Sequence, residues 1–312
     1  MIIGLGTAAI GRPSYINIRQ DSFEYNDLEQ FRAKGIQVLD EAYAHGIRYY
    51  DTAPGYGMAE QLLLEWAKNK TDIEIATKWG YTYVANFDVN ASQHEVKEHS
   101  LDKLQEQWNF SEKLLPQLTT YQIHSATLDT GVLENNAVLE RLFELKTTHQ
   151  IKIGITTSGT NQQQIIELAK AIERNKTPLF DVYQVTYNLF EQSLETILKQ
   201  LSKDGKRVII KEAMANGRVF PNEQFRDYSE RYSLLKTLAD KYNVGLDAIA
   251  MRFIQQSIRP FCILSGASEP SHVSQNLKAK EFELSSADME QLKKIKVDTE
   301  VYWQERKNLV WQ

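Results

Sequence analysis

The chain contains 312 residues, 42% of them apolar and 25% charged, with a net charge of -5, a balance that excludes intrinsic disorder and suits a globular core. The mild acidity and the lack of a Lys/Arg cluster argue against nucleic acid as a partner, because phosphate recognition needs concentrated cations. Residues 1–10 lack the charged start and long apolar stretch of a secretory signal, and no run reaches the roughly 20 apolar residues of a membrane span, so a cytoplasmic protein without membrane contact is expected.

Short β-branched runs alternate with longer segments of helical period, as in right-handed β-α-β units on a parallel sheet. The first run, Ile2-Ile3-Gly4-Leu5, continues into Gly6-Thr7-Ala8-Ala9, a loose match to a dinucleotide fingerprint. That fingerprint must open directly into a helix, whereas Gly11-Arg12-Pro13-Ser14 and a polar loop to Asp27 follow here, so a doubly wound sheet is set aside. Leu28 to His45 reads as a helix with Phe31, Gly35, Leu39, Ala42 and Tyr43 on one stripe and Gly46 as its stop. The second run, Arg48-Tyr49-Tyr50-Asp51, leads into Thr52-Ala53-Pro54-Gly55-Tyr56-Gly57. The third, Ile73 to Ala76, leads into Thr77-Lys78-Trp79, and His94-Glu95-Val96-Lys97-Glu98-His99 follows. These two histidines are five apart, about 140° around a helix, so they are expected on a solvated helix face, with no metal site.

The fourth run, Thr120 to Ile123, ends in His124-Ser125, and Lys152 to Ile155, Val182 to Val185 and Arg207 to Ile210 continue the series. Leu246 to Gln256 is an extra helix before the eighth run, Phe261-Cys262-Ile263-Leu264, and Ser285 to Gln312 is a polar tail. Cys262 is the only cysteine and lies in a buried strand, which rules out an intrachain disulfide and suits a reducing cytoplasm. Eight strands close a barrel and leave no edge exposed. The expected fold is therefore α/β, a (β/α)8 TIM barrel forming a single domain over residues 1–312.

In such a barrel the carboxyl ends of the strands converge on one face, where sites are built. Asp51, Tyr56, Lys78 and His124 all lie at such ends. Singly, each has a plain structural reading, as a loop cap, a turn filler or an ion-pair partner. Jointly they form a proton-transfer set. A lysine on a buried strand needs an anion, which Asp51 supplies. A phenol with a pKa of about 10 is a poor acid near neutrality, and the Lys78 ammonium is expected to lower that of Tyr56. His124 is placed to donate to a substrate oxygen.

With these residues in this order, the chain resembles the aldo-keto reductase superfamily, from Gly4-Leu5-Gly6-Thr7 to Asn276. The resemblance implies Tyr56 as general acid/base, Lys78 and Asp51 as its tuning pair, His124 as the group that positions the carbonyl, and NADP(H) or NAD(H) as cofactor. It also implies cofactor contacts at Gly6, Thr7, Asp51, Gln184, Gly217 and Arg218, the last two in the pyrophosphate loop. Thr156 and Thr157 stand where the family usually has Ser-Asn, and Lys211 stands about where an aromatic ring often stacks on nicotinamide. Gly266, Ser268, Glu269, His272, Gln275 and Asn276 resemble the adenosine-end motif.

Relatives that prefer NADP commonly carry Lys or Arg near Glu269; a carboxylate repels a 2′-phosphate and accepts from a ribose hydroxyl, so NAD is expected to be tolerated or preferred. Protonated His272 would restore some phosphate affinity. Trp79 and Tyr81 are expected to wall the pocket for a small carbonyl or alcohol substrate, while Tyr15 and Trp303 carry no assigned role. Three other readings stay open: an aldose dehydrogenase running in the oxidative direction, a Schiff-base aldolase using Lys78, and a cofactor-binding regulatory subunit.

Overall fold

The computed structural model describes residues 1–15, 17–18 and 27–311. Strands β1 (Ile3–Gly6), β2 (Tyr49–Asp51), β3 (Glu74–Trp79), β4 (Leu118–Ile123), β5 (Lys152–Thr156), β6 (Val182–Thr186), β7 (Arg207–Lys211) and β8 (Cys262–Ser265) close a barrel in chain order. Every neighbouring pair is parallel, and β8 returns to β1 with Ile3 opposite Ile263. All eight expected strands are present.

Side chains alternate along each strand, so every second residue points into the barrel. Tyr49, Ala76, Val182, Ile209 and Cys262 pack together as the lower, apolar layer. Two residues further along β2, β3, β6 and β7 stand Asp51, Lys78, Gln184 and Lys211, which together with Gln122 of β4 make the upper layer polar. Gly154 of β5 makes room for it, since a Cβ there would lie 2.7 Å from Cγ of Gln122. The outward residues, among them Tyr50, Ile75, Trp79, Tyr121, Ile153 and Tyr183, join the larger core between strands and helices.

The helical ring begins with Leu28–Ala44, capped by the Asp27 carboxylate and burying Phe31, Gly35, Leu39 and Ala42 of the expected stripe. Two helices, Ser229–Tyr242 and Leu246–Ile258, separate β7 from β8; the second is the extra helix, extended to Ile258 because its face stays apolar. Two sequence expectations need correction. The segment around His94 and His99 is not helical: Glu95–Lys97 pairs antiparallel with Tyr81–Tyr83, and both histidines are buried. The tail is not merely polar. It forms helices Ser286–Lys294 and Thr299–Lys307, which bury Leu292, Tyr302 and Trp303; a few apolar residues suffice when one face docks on existing structure. No helix among the described residues is long and apolar enough to cross a membrane.

One contact positions the residues after β2. The short helix Ala8–Gly11 presses its last residue against the turn around Tyr56, and the Met58 amide donates to the Gly11 carbonyl at 2.9 Å. A Cβ on Gly11 would lie 2.2 Å from the Tyr56 carbonyl oxygen and 2.4 Å from Cβ of Ala59. Gly57 meets the same surface from the other side with φ +63°. Gly11→Ala is therefore expected to lower the unfolding free energy by about 3 kcal/mol, the upper end of the range for overpacking. Gly131→Ala, where φ is +59° but the space around it is open, should cost about 1 kcal/mol from backbone conformation alone. Urea unfolding of the two variants measures both.

Candidate active site

Asp51, at the end of β2, is the acceptor around which the polar layer is arranged. Its carboxylate accepts from the Lys78 ammonium, from the Gln184 amide at 2.7 Å and from the Gln122 amide at 3.3 Å. Lys78 also donates to the Thr52 carbonyl at 2.9 Å. Both charges are almost fully buried, with side-chain exposures of 3% for Asp51 and 0% for Lys78, so each depends on the other to offset its desolvation.

Tyr56 lies on the turn Pro54–Tyr56 directly after β2. Its hydroxyl is 3.5 Å from Nε2 of His124, and the Lys78 ammonium is 4.8 Å from its ring centroid. Burial, with Asp51 adding to it, pushes the Tyr56 phenol well above its ordinary range, while Arg12 opposes the shift. The net shift is upward, so the expected lowering by Lys78 does not bring the phenol below its ordinary range. Burial penalises a phenolate, and the ammonium is engaged by Asp51. His124 moves the other way: burial, then the positive charges of Lys78 and Arg12, drive it well below its ordinary range. A neutral phenol thus faces a neutral imidazole. The backbone oxygen of His124 meets Nε2 of His99 at 2.9 Å, and the Tyr81 ring lies 4.5 Å from the His124 ring.

A cavity of about 520 Å³ lies at the carboxyl ends of the strands and is lined by Asp51 and Tyr56, while Lys78 and His124 stand behind its lining. Gly6, Asp51, Tyr56, Gln184, Lys211 and Gly217 line it together with Gly266, Ser268, His272, Gln275 and Asn276. Lys211 donates to the hydroxyls of Ser158 at 2.8 Å and Thr186 at 3.1 Å, and burial lowers its ammonium to about 8 against the pull of Glu212. Asn276 is fixed between Asp247 and Ser265, at 2.6 Å from each.

Several expected contacts turn away from this groove. The Thr7 hydroxyl donates to the Asp51 carbonyl at 3.0 Å, that of Thr156 accepts from the Ser125 amide at 2.7 Å, and that of Thr157 donates to Gln162 at 3.3 Å. Arg218 is buried with its guanidinium on the Tyr302 carbonyl at 3.1 Å and Glu305 at 2.9 Å, so it anchors the tail instead of facing the groove. Trp79 is fully buried in the outer core, because Lys78 points inward and its neighbour must then point outward. Trp303 likewise belongs to the core. Glu269 is not among the lining residues; its carboxylate accepts from the lining residue Lys34 at 2.6 Å.

Of the other lining residues, Tyr15 was singled out in the sequence without a role, and the rest carried no sequence signal. Arg12, Tyr15 and Lys34 come from the first loop and first long helix. Glu212 lines the groove just past β7, bound by Arg306 of the tail at 2.7 Å; burial pushes its carboxyl up, but Arg306 and Lys211 outweigh that and hold it at about 2. Trp311 packs edge-on against Tyr15 and stacks on His94. Pairs separated by 94 residues, such as Glu212 and Arg306, become visible only in the fold. Among the described residues no group of His, Cys, Asp and Glu is arranged to hold a metal ion.

The model of the aldo/keto reductase family matches residues 2–297. The chain is 25% identical to NADH-specific methylglyoxal reductase of Escherichia coli (strain K12), over 92% of this chain and 91% of that protein. It is 24% identical to D-threo-aldose 1-dehydrogenase of a Pseudomonas species, over 77% and 80% of the two chains. Among solved structures, glycerol dehydrogenase of Gluconobacter oxydans superposes with a TM-score of 0.71 at 20% identity, covering 94% of this chain and 90% of that one. The holo form of an aldo-keto reductase from Bacillus halodurans gives 0.69 at 20% identity, covering 97% and 94%. These structural likenesses concern the barrel, while the family match spans nearly its whole length. The chain belongs to the aldo/keto reductase family of oxidoreductases.

Proposed function

We propose that this protein interconverts a carbonyl and an alcohol by hydride transfer with a nicotinamide dinucleotide, Tyr56 serving as general acid/base. The observation that carries the reading is the buried Tyr56–His124 pair, 3.5 Å apart beside the Lys78–Asp51 pair, with Tyr56 and Asp51 lining a cavity of about 520 Å³. The groove suits a dinucleotide: its volume is typical of cofactor sites, and a side chain at Gly266 would project into open space. Gly6, Gln184 and Lys211 would hold the nicotinamide end, and Ser268, Gln275 and Asn276 the adenosine end. The cofactor, when bound, donates or accepts the hydride.

Neutral His124 donates to the carbonyl oxygen and orients it toward Tyr56. As negative charge gathers on that oxygen, Tyr56 gives up its proton to it; in the oxidative direction the same oxygen atoms exchange the proton the other way. Asp51 holds Lys78 beside the phenol, which argues against Lys78 as a Schiff-base nucleophile: its ammonium is already engaged by Asp51 and by the Thr52 carbonyl. The two relatives act, by their names, on methylglyoxal and on an aldose, which favours small polar carbonyl compounds and sugars as substrates here. Tyr56→Phe should keep its affinity for NADH and lose turnover by about 10²–10⁴-fold; full turnover in that variant would remove Tyr56 from the mechanism.

We also propose that NADH is preferred over NADPH. Glu269, held below the usual carboxylate range by Lys34, presents negative charge at the adenosine end of the groove and repels a 2′-phosphate. The relative described as NADH-specific supports the same choice. Glu269→Gln is expected to tighten NADPH about tenfold, a change of about 1.4 kcal/mol, because it removes the repulsion. NADH affinity should stay nearly constant, and fluorescence titration with each cofactor measures both. A strong NADPH preference in the unaltered protein would overturn the assignment.

A further inference from the structure

The first loop brings into the active site a guanidinium that the reaction as written does not use. Arg12 is 2% exposed and lines the groove. Its guanidinium carbon lies 5.3 Å from the ring centroid of Tyr56, 5.1 Å from that of Tyr15 and 4.8 Å from that of Trp311, so three rings from distant parts of the chain enclose it. Nη1 donates to the Gly55 carbonyl at 2.7 Å and to the Glu95 carboxylate at 2.8 Å, while Nε is buried with no hydrogen-bond partner among the described residues. A buried guanidinium with an unused donor costs stability. The same aromatic shell would be cheaper to fill with an apolar side chain.

We propose that Arg12 is a positioning residue for Tyr56: its guanidinium clamps the Tyr56 turn through Gly55 and stabilises the phenolate left when the proton has passed to the substrate oxygen. The inference rests on the proton-donor role of Tyr56. In the reductive step the Tyr56 O–H bond breaks, an O–H bond forms on the substrate oxygen, and the electron pair of the broken bond stays on the phenolate, which solvent later reprotonates.

The charges around the ring explain why a second cation is needed. Asp51 and Lys78 face Tyr56 from β2 and β3 as a closed pair, Glu95 from the hairpin, Glu212 from the end of β7, and His124 and Tyr15 as neutral groups. Burial and the three carboxylates push the phenol toward its protonated form, and Arg12 opposes them. The Arg12 partner, Glu95, has a side-chain exposure of 24%, so water screens the anion more than the cation, and part of the Arg12 charge is left for the phenol.

The test compares Glu95→Gln, Arg12→Lys and Arg12→Met, each alone and combined with Tyr56→Phe. Ultraviolet difference titration of the cofactor-free proteins, with the Tyr56→Phe partner subtracted, isolates the ionisation of Tyr56. Glu95→Gln should lower the midpoint by about one unit, Arg12→Met should raise it, and Arg12→Lys should fall between the unaltered protein and Arg12→Met. In the oxidative direction, at a fixed pH below the midpoint, turnover should rise about tenfold in Glu95→Gln and fall at least about tenfold in Arg12→Met. Ethylguanidinium should restore part of the loss in Arg12→Ala. Midpoints that do not respond, or that shift in the same direction for Glu95→Gln and Arg12→Met, overturn the proposal, and an unmoved midpoint in Glu95→Gln overturns it even if Arg12→Met does not fold. If Tyr56→Phe keeps full turnover, the proton-donor reading itself fails; if Tyr56→Phe is inactive while the midpoint ignores Arg12 and Glu95, only the role of Arg12 fails.

Discussion

One carboxylate organises the upper half of the barrel. Asp51 is buried and receives Lys78, Gln184 and Gln122 from three different strands. An isolated charge at that depth would be untenable. The polar layer therefore forms as a unit or not at all, and removing Asp51 would leave a buried ammonium without its counter-ion. The layer beneath it, built from Tyr49, Ala76, Val182, Ile209 and Cys262, contains the apolar packing that keeps water away from this network. The two-residue period of the strands generates both layers at once: Tyr49, Ala76, Val182 and Ile209 of the lower layer stand two residues before Asp51, Lys78, Gln184 and Lys211 of the polar one.

Around that mouth, segments far apart in the chain supply the walls. Arg218 reaches from the loop after β7 to Tyr302 and Glu305, and Arg306 returns from the tail to Glu212, so two arginines in opposite directions pin the last helix over the barrel. Trp311 then meets Tyr15, His94 and Arg12. These contacts make the tail part of the site's enclosure. An enclosed site raises the weight of every charge inside it, since less water is available to screen it.

The strands, the barrel and the convergence of Asp51, Tyr56, Lys78 and His124 were legible in the sequence because each follows from a local rule: a β-branched run, a following helical stripe, a polar residue at a strand end. Contacts that depend on side-chain direction were not. Arg218 sits in the expected loop yet points away from the groove, and Trp79 follows a site lysine yet belongs to the outer core. The segment around His94 and His99 suggests a helix face by itself, but backbone pairing with Tyr81–Tyr83 settles it as a strand; such long-range pairing overrides a local pattern. Arg12, Lys34 and Glu212 gave no signal at all, since a charged residue in a loop is ordinary until the fold shows what it faces.

Burial acts on Tyr56 and His124 in opposite senses with one result. It disfavours ionisation of a phenol and also protonation of an imidazole, so Tyr56 is held up and His124 is driven down. Both therefore stand neutral near pH 7, so the two rings face each other without a fixed charge on either. The charges that remain are paired: Asp51 with Lys78, Glu95 with Arg12, Glu212 with Arg306. Lys211 is the exception at this end of the groove, as its contacts with Ser158 and Thr186 are to neutral hydroxyls. With its ammonium near 8, it adds positive charge that strengthens as pH falls below that value, and positive charge favours any reacting oxygen that becomes more negative along the reaction path.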